Sequence, residues 1–189
     1  MLKILLVVVL LVSGCGGGAQ KFNSVDITGA NYARDFALTD HTGARRTLAD
    51  YRGKVVAVFF GFTQCPDVCP TTLSDLAQVR KRLGSDGEQL QVIFITVDPE
   101  RDSQAVLQRY VPSFDPSFVA LYGSAEQTAA TAKEFKVFYQ KVGGRTATSY
   151  SIDHTAGTYV FDREGRVRLF VRHGEGVEPL AADLKRFLS

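Results

Sequence analysis

Two apolar runs, residues 54–60 (KVVAVFF) and 89–98 (QLQVIFITVD), lie on either side of a helical pattern, and together they restrict the fold more than any other feature of the chain. Neither run alternates polar with apolar positions, which is the mark of a strand covered on both faces inside a parallel sheet. Between them Leu73, Leu76, Val79, Arg80 and Leu83 recur at helical spacing, so the pattern predicts a helix over 70–83 closed by Gly84. Strand, long connection and strand make a right-handed parallel crossover. Residues 61–69 and Asp98 are therefore expected at the same carboxyl edge of the sheet, where α/β folds keep their chemistry.

That edge carries Gly61-Phe62-Thr63-Gln64-Cys65-Pro66-Asp67-Val68-Cys69-Pro70. Unpaired N–H groups and the dipole at a helix N-terminus favour a thiolate, and both Cys65 and Cys69 are placed to benefit. Pro70 disfavours helical dihedrals at Cys69, so a turn over 66–69 is expected, with Pro70 as the first helical residue. Three residues separate the cysteines, against two in the usual redox motif. This wider bite can pinch one soft ion such as Cu(I), or close to a disulfide with a larger ring. On these residues alone both chemistries stay open. A purely structural disulfide is disfavoured, because so short a loop removes little chain entropy and a domain of this size needs no staple.

The first residues carry a separate signal. Lys3 precedes an unbroken apolar run over 4–12, and Val12-Ser13-Gly14-Cys15 resembles a bacterial lipobox. As a helix the run spans ~14 Å against ~30 Å of hydrocarbon, too short to cross a bilayer. The expectation is a lipoprotein signal peptide over 1–14, cleaved before Cys15, whose thiol takes the lipid; an ordinary secretory signal with an incidental cysteine is the alternative. Cys15 and a flexible linker occupy 15–29, and one domain fills 30–189. With Cys15 lipidated, Cys65 and Cys69 are the only cysteines left to the domain, in an exported compartment. Hydrophobic residues make up 45% of the chain, enough for a substantial core. Net charge is +2 with Lys and Arg scattered among acids, which excludes a nucleic-acid footprint.

The remaining elements follow from local patterns. Residues 36–38 and 45–48 flank Thr39-Asp40-His41-Thr42-Gly43 and read as a β-hairpin with His41 solvated at its tip. Residues 103–111 and 125–135 read as helices with a short strand at 118–121 between them, and strand character recurs at 138–142 before an exposed loop at 143–146. A second hairpin, 158–161 with 166–171, turns at Asp162-Arg163-Glu164-Gly165, and an amphipathic helix over 178–188 closes the chain. Asp102 is read as the N-cap of a solvated helix, and Asp98 as a group supporting the edge site from outside its ligands.

Three blocks, FFGFTQCPDVCP at 59–70, VDPERD at 97–102 and DHT at 153–155, resemble the SCO/SenC family in that order, over roughly residues 30–189. The resemblance implies a thioredoxin-like α/β fold, with a central mixed sheet flanked by helices and an N-terminal β-hairpin. It also implies a membrane tether, and copper held by Cys65, Cys69 and His154 during assembly of cytochrome c oxidase. Thioredoxin-like folds usually carry a cis-proline facing the thiols before the last hairpin; no proline occurs here between Pro116 and Pro179, and His154 takes that place. His173 is read as a loop residue. Two thiolates and one imidazole suit Cu(I) and Cu(II) and leave room for a partner's thiol; zinc accepts the same donors, but the missing fourth ligand argues against a closed structural zinc site.

The implied partners are the copper-site subunit of cytochrome c oxidase, an upstream copper donor, and the membrane through a lipid anchor at the periplasmic face. The leading function is a metallochaperone. A thiol–disulfide oxidoreductase that cycles Cys65 and Cys69 to keep the acceptor's cysteines reduced is the alternative. A peroxiredoxin-like peroxidase is disfavoured: its Pro-x-x-x-Thr-x-x-Cys motif does not fit Thr63 two residues before Cys65, with Phe59 where the proline would fall.

Overall fold

A computed structural model describes residues 21–144 and 149–188. The expected signal peptide, Cys15 and its glycines lie outside the described residues, as do positions 145 and 146 of the expected loop. In chain order the elements are β1 (Val25–Asp26), β2 (Ala37–Asp40), β3 (Arg45–Thr47), β4 (Val55–Gly61), α1 (Val68–Arg82), β5 (Leu90–Thr96), α2 (Gln104–Tyr110), β6 (Val119–Tyr122), α3 (Ala125–Glu134), β7 (Tyr139–Val142), β8 (Ser151–His154), β9 (Gly157–Phe161), β10 (Val167–Arg172) and α4 (Val177–Leu188).

Among the described residues, eight strands form one sheet in the order β1-β10-β9-β4-β5-β6-β2-β3, while β7 and β8 pair separately. Strands β4, β5 and β6 are mutually parallel and the rest of the sheet is antiparallel. This is the expected thioredoxin-like mixed sheet flanked by helices. Every residue of β4 and β5 is buried, as their unbroken apolar runs require. On one face Phe60 packs on Phe135 at the end of α3, and Phe135 also meets Tyr159 and Phe161. On the other, Phe59 and Phe94 lie in register and in contact, and α1 and α4 run side by side.

Four expectations need correction. Helix α1 begins at Val68, not Pro70. The first four N–H groups of a helix have no intrahelical acceptor, so Pro70 forfeits nothing at its third position, and the Thr71 N–H donates to the Asp67 carbonyl at 3.1 Å. Cys69 thus lies inside the first turn. Part of the stretch expected as linker is bound to the domain: Val25 and Asp26 pair with Phe170 and Leu169, and the Ser24 N–H donates to the buried Asp183 carboxylate at 2.8 Å. His41 is not a solvated tip, since its Nδ1 accepts the Ala120 N–H at 3.1 Å and its own N–H donates to the Ala120 carbonyl at 2.9 Å, joining the hairpin to β6. Ser103, not Asp102, caps α2.

Beside His41, Asp40 is buried and accepts the Thr42 hydroxyl, the Arg46 guanidinium and the Ala44 and Thr42 N–H groups. Burial works to raise its pKa, but these donors outweigh it and hold the carboxyl down at about 2.

Candidate metal centre

Strand β4 runs out at Gly61, where a side chain has no room: a Cβ would lie 2.7 Å from Cys69 Sγ, 2.8 Å from the Phe94 ring and 3.1 Å from the Phe59 ring. The chain then loops through Cys65, whose N–H donates to the Phe62 carbonyl at 3.2 Å, and enters α1. The Cys69 N–H points at Cys65 Sγ across 3.5 Å, so the first turn of α1 offers a backbone donor to that sulfur.

The third member arrives from β8. Its pairing with β7 sets Tyr139 opposite His154, and Thr155 is held to Phe138 by two further hydrogen bonds of 2.9 and 3.0 Å. Cys69 Sγ lies 3.5 Å from His154 Nε2, and the ligand atoms of Cys65, Cys69 and His154 all fall within 4.8 Å of one another. Phe59 and Phe62 present their edges or faces to the imidazole at centroid distances of 6.1 and 5.9 Å. The His154 Nδ1 sits 3.1 Å from the Thr155 carbonyl, which can only accept, so Nδ1 carries the proton and Nε2 turns a lone pair to the sulfurs.

Burial decides the electrostatics. It lowers the His154 pKa, against an opposing contribution from the Thr155 hydrogen bond, so the imidazole stays neutral as a ligand must. Cys69 is fully buried, and desolvation pushes its thiol well above the ordinary range although the Phe62 N–H pulls the other way. The expectation that the helix N-terminus activates both thiols therefore fails for Cys69: a dipole felt at the first turn does not offset the removal of water. Cys65 is half-buried, and both thiols are free.

The loop that leads from β4 to Cys65 is held by Asp102. This carboxyl is buried and accepts the Thr63 N–H at 3.0 Å, the Thr63 hydroxyl at 2.5 Å and the Thr96 hydroxyl at 2.6 Å. Desolvation raises its pKa against those hydrogen bonds. Asp98, also buried, touches none of the three ligands. It accepts the Tyr150 hydroxyl at 2.7 Å and the Arg101 Nε–H. Arg101 stacks over the Tyr150 ring at 3.6 Å, lies 5.8 Å from the Phe62 centroid, and donates to Gln64 Oε1 at 3.1 Å, so Arg101 links the Asp98 carboxylate to the loop. His173 is exposed and bonded to the Thr72 hydroxyl at 3.1 Å, away from the cluster.

The structure brings together Cys65, Cys69 and His154, the three residues the sequence singles out; the sequence reading gives Asp102 as a cap and does not single out Arg101, Tyr150 or the steric role of Gly61. Asp102 and Ser103 are adjacent and both of capping type, so nothing local separates the cap from the buried acceptor. Gly61 offered a signal, as a glycine ending an otherwise bulky strand points to close approach by another group.

A family model described as SCO1/SenC matches residues 25–189. Among curated relatives, the mitochondrial SCO2 homolog of Mus musculus is 36% identical over 157 residues, 82% of this chain and 62% of its own length. An SCO2-like protein of Rickettsia felis is 36% identical over 133 residues, 70% of this chain and 65% of its own. The chain thus spans about six-tenths of the length of these relatives. Among solved structures, the apo Sco1 protein of Thermus thermophilus superposes with a TM-score of 0.79 at 42% identity, covering 90% of this chain and 99% of that one. ScoI of Bradyrhizobium japonicum, solved with copper bound, gives 0.74 at 40% identity, covering 81% and 97%.

Proposed function

The chain belongs to the SCO1/SenC family, and from that premise we propose that it is a membrane-tethered copper metallochaperone supporting assembly of the dinuclear copper site of cytochrome c oxidase. One observation carries the reading: two thiol sulfurs from a single strand-to-helix turn and an imidazole nitrogen from β8 converge within 4.8 Å. Two sulfurs and a neutral nitrogen are a soft donor set suited to copper. Three protein ligands leave one side open, through which an acceptor's thiolate can take the cargo.

This chain's residues prepare the exchange. Gly61 gives the Cys69 sulfur its space, Asp102 fixes the Thr63 end of the loop, and the Thr155 carbonyl holds His154 in the tautomer that presents Nε2. Loading requires both thiols to lose protons, so copper affinity rises with pH, the more so because burial holds the proton on Cys69. Among the described residues no helix is long and apolar enough to cross a membrane. We assign the tether to a lipid on Cys15 after cleavage of residues 1–14, which places the domain at the periplasmic face of the cell membrane. The partners are then the oxidase's copper subunit and an upstream copper donor. Membrane partition of the wild type, lost in Cys15→Ser, tests the anchor.

A second reading rests on a different observation. Half-buried Cys65 and fully buried Cys69 form a free dithiol with one accessible and one shielded sulfur, the asymmetry a thiol–disulfide oxidoreductase uses for attack and resolution. The experiment that separates the two incubates copper-loaded and metal-free protein with an oxidase copper-site domain, reduced or disulfide-bonded, and follows copper and thiols independently. The expected result is metallation of the reduced acceptor by loaded protein, abolished in His154→Ala while thiol exchange survives. Normal delivery by His154→Ala, with ready disulfide reduction by metal-free wild type, replaces the chaperone with the reductase.

A further inference from the structure

The lysines and arginines are scattered in the sequence, but the fold gathers several of them at one end. Two turns meet there: the Gly53 N–H donates to the Arg163 carbonyl at 2.8 Å, and the Arg163 Nε–H donates to the Gly53 carbonyl at 3.1 Å. Arg52 and Lys54 flank Gly53, and they and Arg163 are exposed. A cleft lined by Gly53 and Arg163 is shared by Arg168, Arg186 and Phe187. Phe187 stacks on Phe22 at 5.4 Å, Arg186 lies over the Phe22 ring at 3.7 Å, and exposed Lys21 precedes Phe22. The point where the chain enters the domain thus borders the same cleft. The acids of this face are largely taken up: Asp162 and Glu164 pair with Arg166 and Arg168 at 2.9 to 3.0 Å, and Asp26 faces Arg168 and Arg186. Among the described residues Lys21, Arg52, Lys54, Arg163 and Arg186 form no ion pair, which leaves the face an excess of positive charge.

Strand β4 starts at Val55, beside this end, and finishes at Gly61, beside Cys69 Sγ. Its residues rise ~3.3 Å each, which sets the basic face and the metal centre ~20 Å apart. Five residues separate Cys15 from Lys21, a chain that reaches at most about 22 Å when fully extended. With a lipid on Cys15, the face around Lys21 and Phe22 is therefore kept within that distance of the headgroups. We propose that this face, through Lys21, Arg52, Lys54, Arg163 and Arg186, rests on the anionic headgroups of the bilayer that carries the anchor and so turns the metal centre away from the membrane. Asp67 and Asp153, exposed next to the ligands in sequence, are repelled by the same surface, which favours that one orientation. This inference rests on the proposed anchor at Cys15. The anchor confines the domain to the membrane, and the basic face decides which end looks outward.

The test uses the intact lipidated protein on vesicles of phosphatidylcholine, alone or in equal parts with phosphatidylglycerol. Flotation with the vesicles reports the anchor. Mass spectrometry after brief treatment with arginine-directed and amine-directed reagents reports which side chains the surface covers, with exposed Arg109 on α2 and Arg172 at the opposite end of β10 as references. On the anionic vesicles Arg163, Arg186 and Lys54 should react at least about fivefold more slowly than on phosphatidylcholine, the gain that one basic side chain draws from an anionic surface. Salt at ~1 M should restore their rates, and Arg109 and Arg172 should not change. In the double variant Arg163→Gln, Arg186→Gln the protection of Lys54 should be lost while flotation persists. Equal rates on both vesicles, equal slowing at Arg109 and Arg172, or the same slowing by inorganic phosphate added to phosphatidylcholine vesicles overturns the lipid-facing surface while the anchor stands. A wild type that floats with neither vesicle overturns the anchor and this inference together.

Discussion

The cysteine half and the histidine half of the centre are built in different ways. Cys65 and Cys69 are close in sequence and follow a fully buried strand of the eight-stranded sheet, with the Cys69 sulfur beside Gly61, Phe59 and Phe94. His154 lies 85 residues beyond Cys69, on a two-stranded sheet outside the main one. There it is held by the pairing with β7, by Thr155 and Phe138, and at the neighbouring Tyr150 by Asp98 and Arg101. A ligand embedded in a core shares the core's stability, whereas one on a peripheral hairpin can be lost, or re-aimed, with the domain intact.

Changes that sort by half can break that comparison. The largest effect is expected from Gly61→Val, because its Cβ would enter the space of Cys69 Sγ and two phenyl rings. Overpacking of this kind costs about 1–3 kcal/mol, so both the unfolding midpoint and copper affinity should fall, by denaturant titration and chelator competition. A variant that keeps wild-type stability and affinity would show that the cysteine half is not fixed by the core. Next, His154→Ala should weaken copper binding by at least ~10-fold, as loss of a ligand should exceed the losses known for its supporting groups, while the unfolding midpoint of the empty protein moves little. A collapse of stability instead would place His154 in the core's cooperative unit and erase the distinction.

Smaller effects sharpen the picture. Tyr150→Phe removes the hydroxyl that donates to Asp98 at 2.7 Å, worth about 1.5–3 kcal/mol for a bond to a charged group. It should raise amide exchange in β7 and β8 before any other element; uniform exchange would mean that the hairpin is not secured there. The least effect on copper is expected at the far edge of the sheet. Asp40 has its carboxyl held at about 2, below the ordinary 3.8. Its contribution to stability is fully present above the ordinary value and is lost as pH falls through about 2. Asp40→Asn should therefore be less stable than wild type at neutral pH, lose less between pH ~4 and ~2, and bind copper as wild type does. An unchanged acid-unfolding profile would remove Asp40 from the account.

What could be read in advance followed the same division. The two continuous apolar runs specified β4, β5 and the parallel crossover, and with them the edge on which Cys65 and Cys69 stand. Strand β8 escaped notice because Ser151-Ile152-Asp153-His154 is short, with only Ile152 buried, and gains its conformation by pairing with β7 and not from its own pattern. His154 was therefore picked out through the DHT block and not through periodicity. Asp102 and His41 were misread for one shared reason. Polar residues at turns ordinarily meet water, and only the assembled structure shows that these two meet backbone and hydroxyl groups of distant segments instead.

The separation of 85 residues between Cys69 and His154 also has a consequence for the order of events in the life of the chain. An unfolded chain presents two neighbouring thiols but brings no imidazole to them without closing a long loop, which is entropically unfavourable. The complete donor set exists only after β7 and β8 have paired and brought His154 to the cysteines. A metal that prefers three donors to two then favours the finished fold over every partly made one, by an amount set by the ratio of the two affinities. Heat resistance that grows with copper concentration, and does not grow in His154→Ala, would make loading a readout of completed folding.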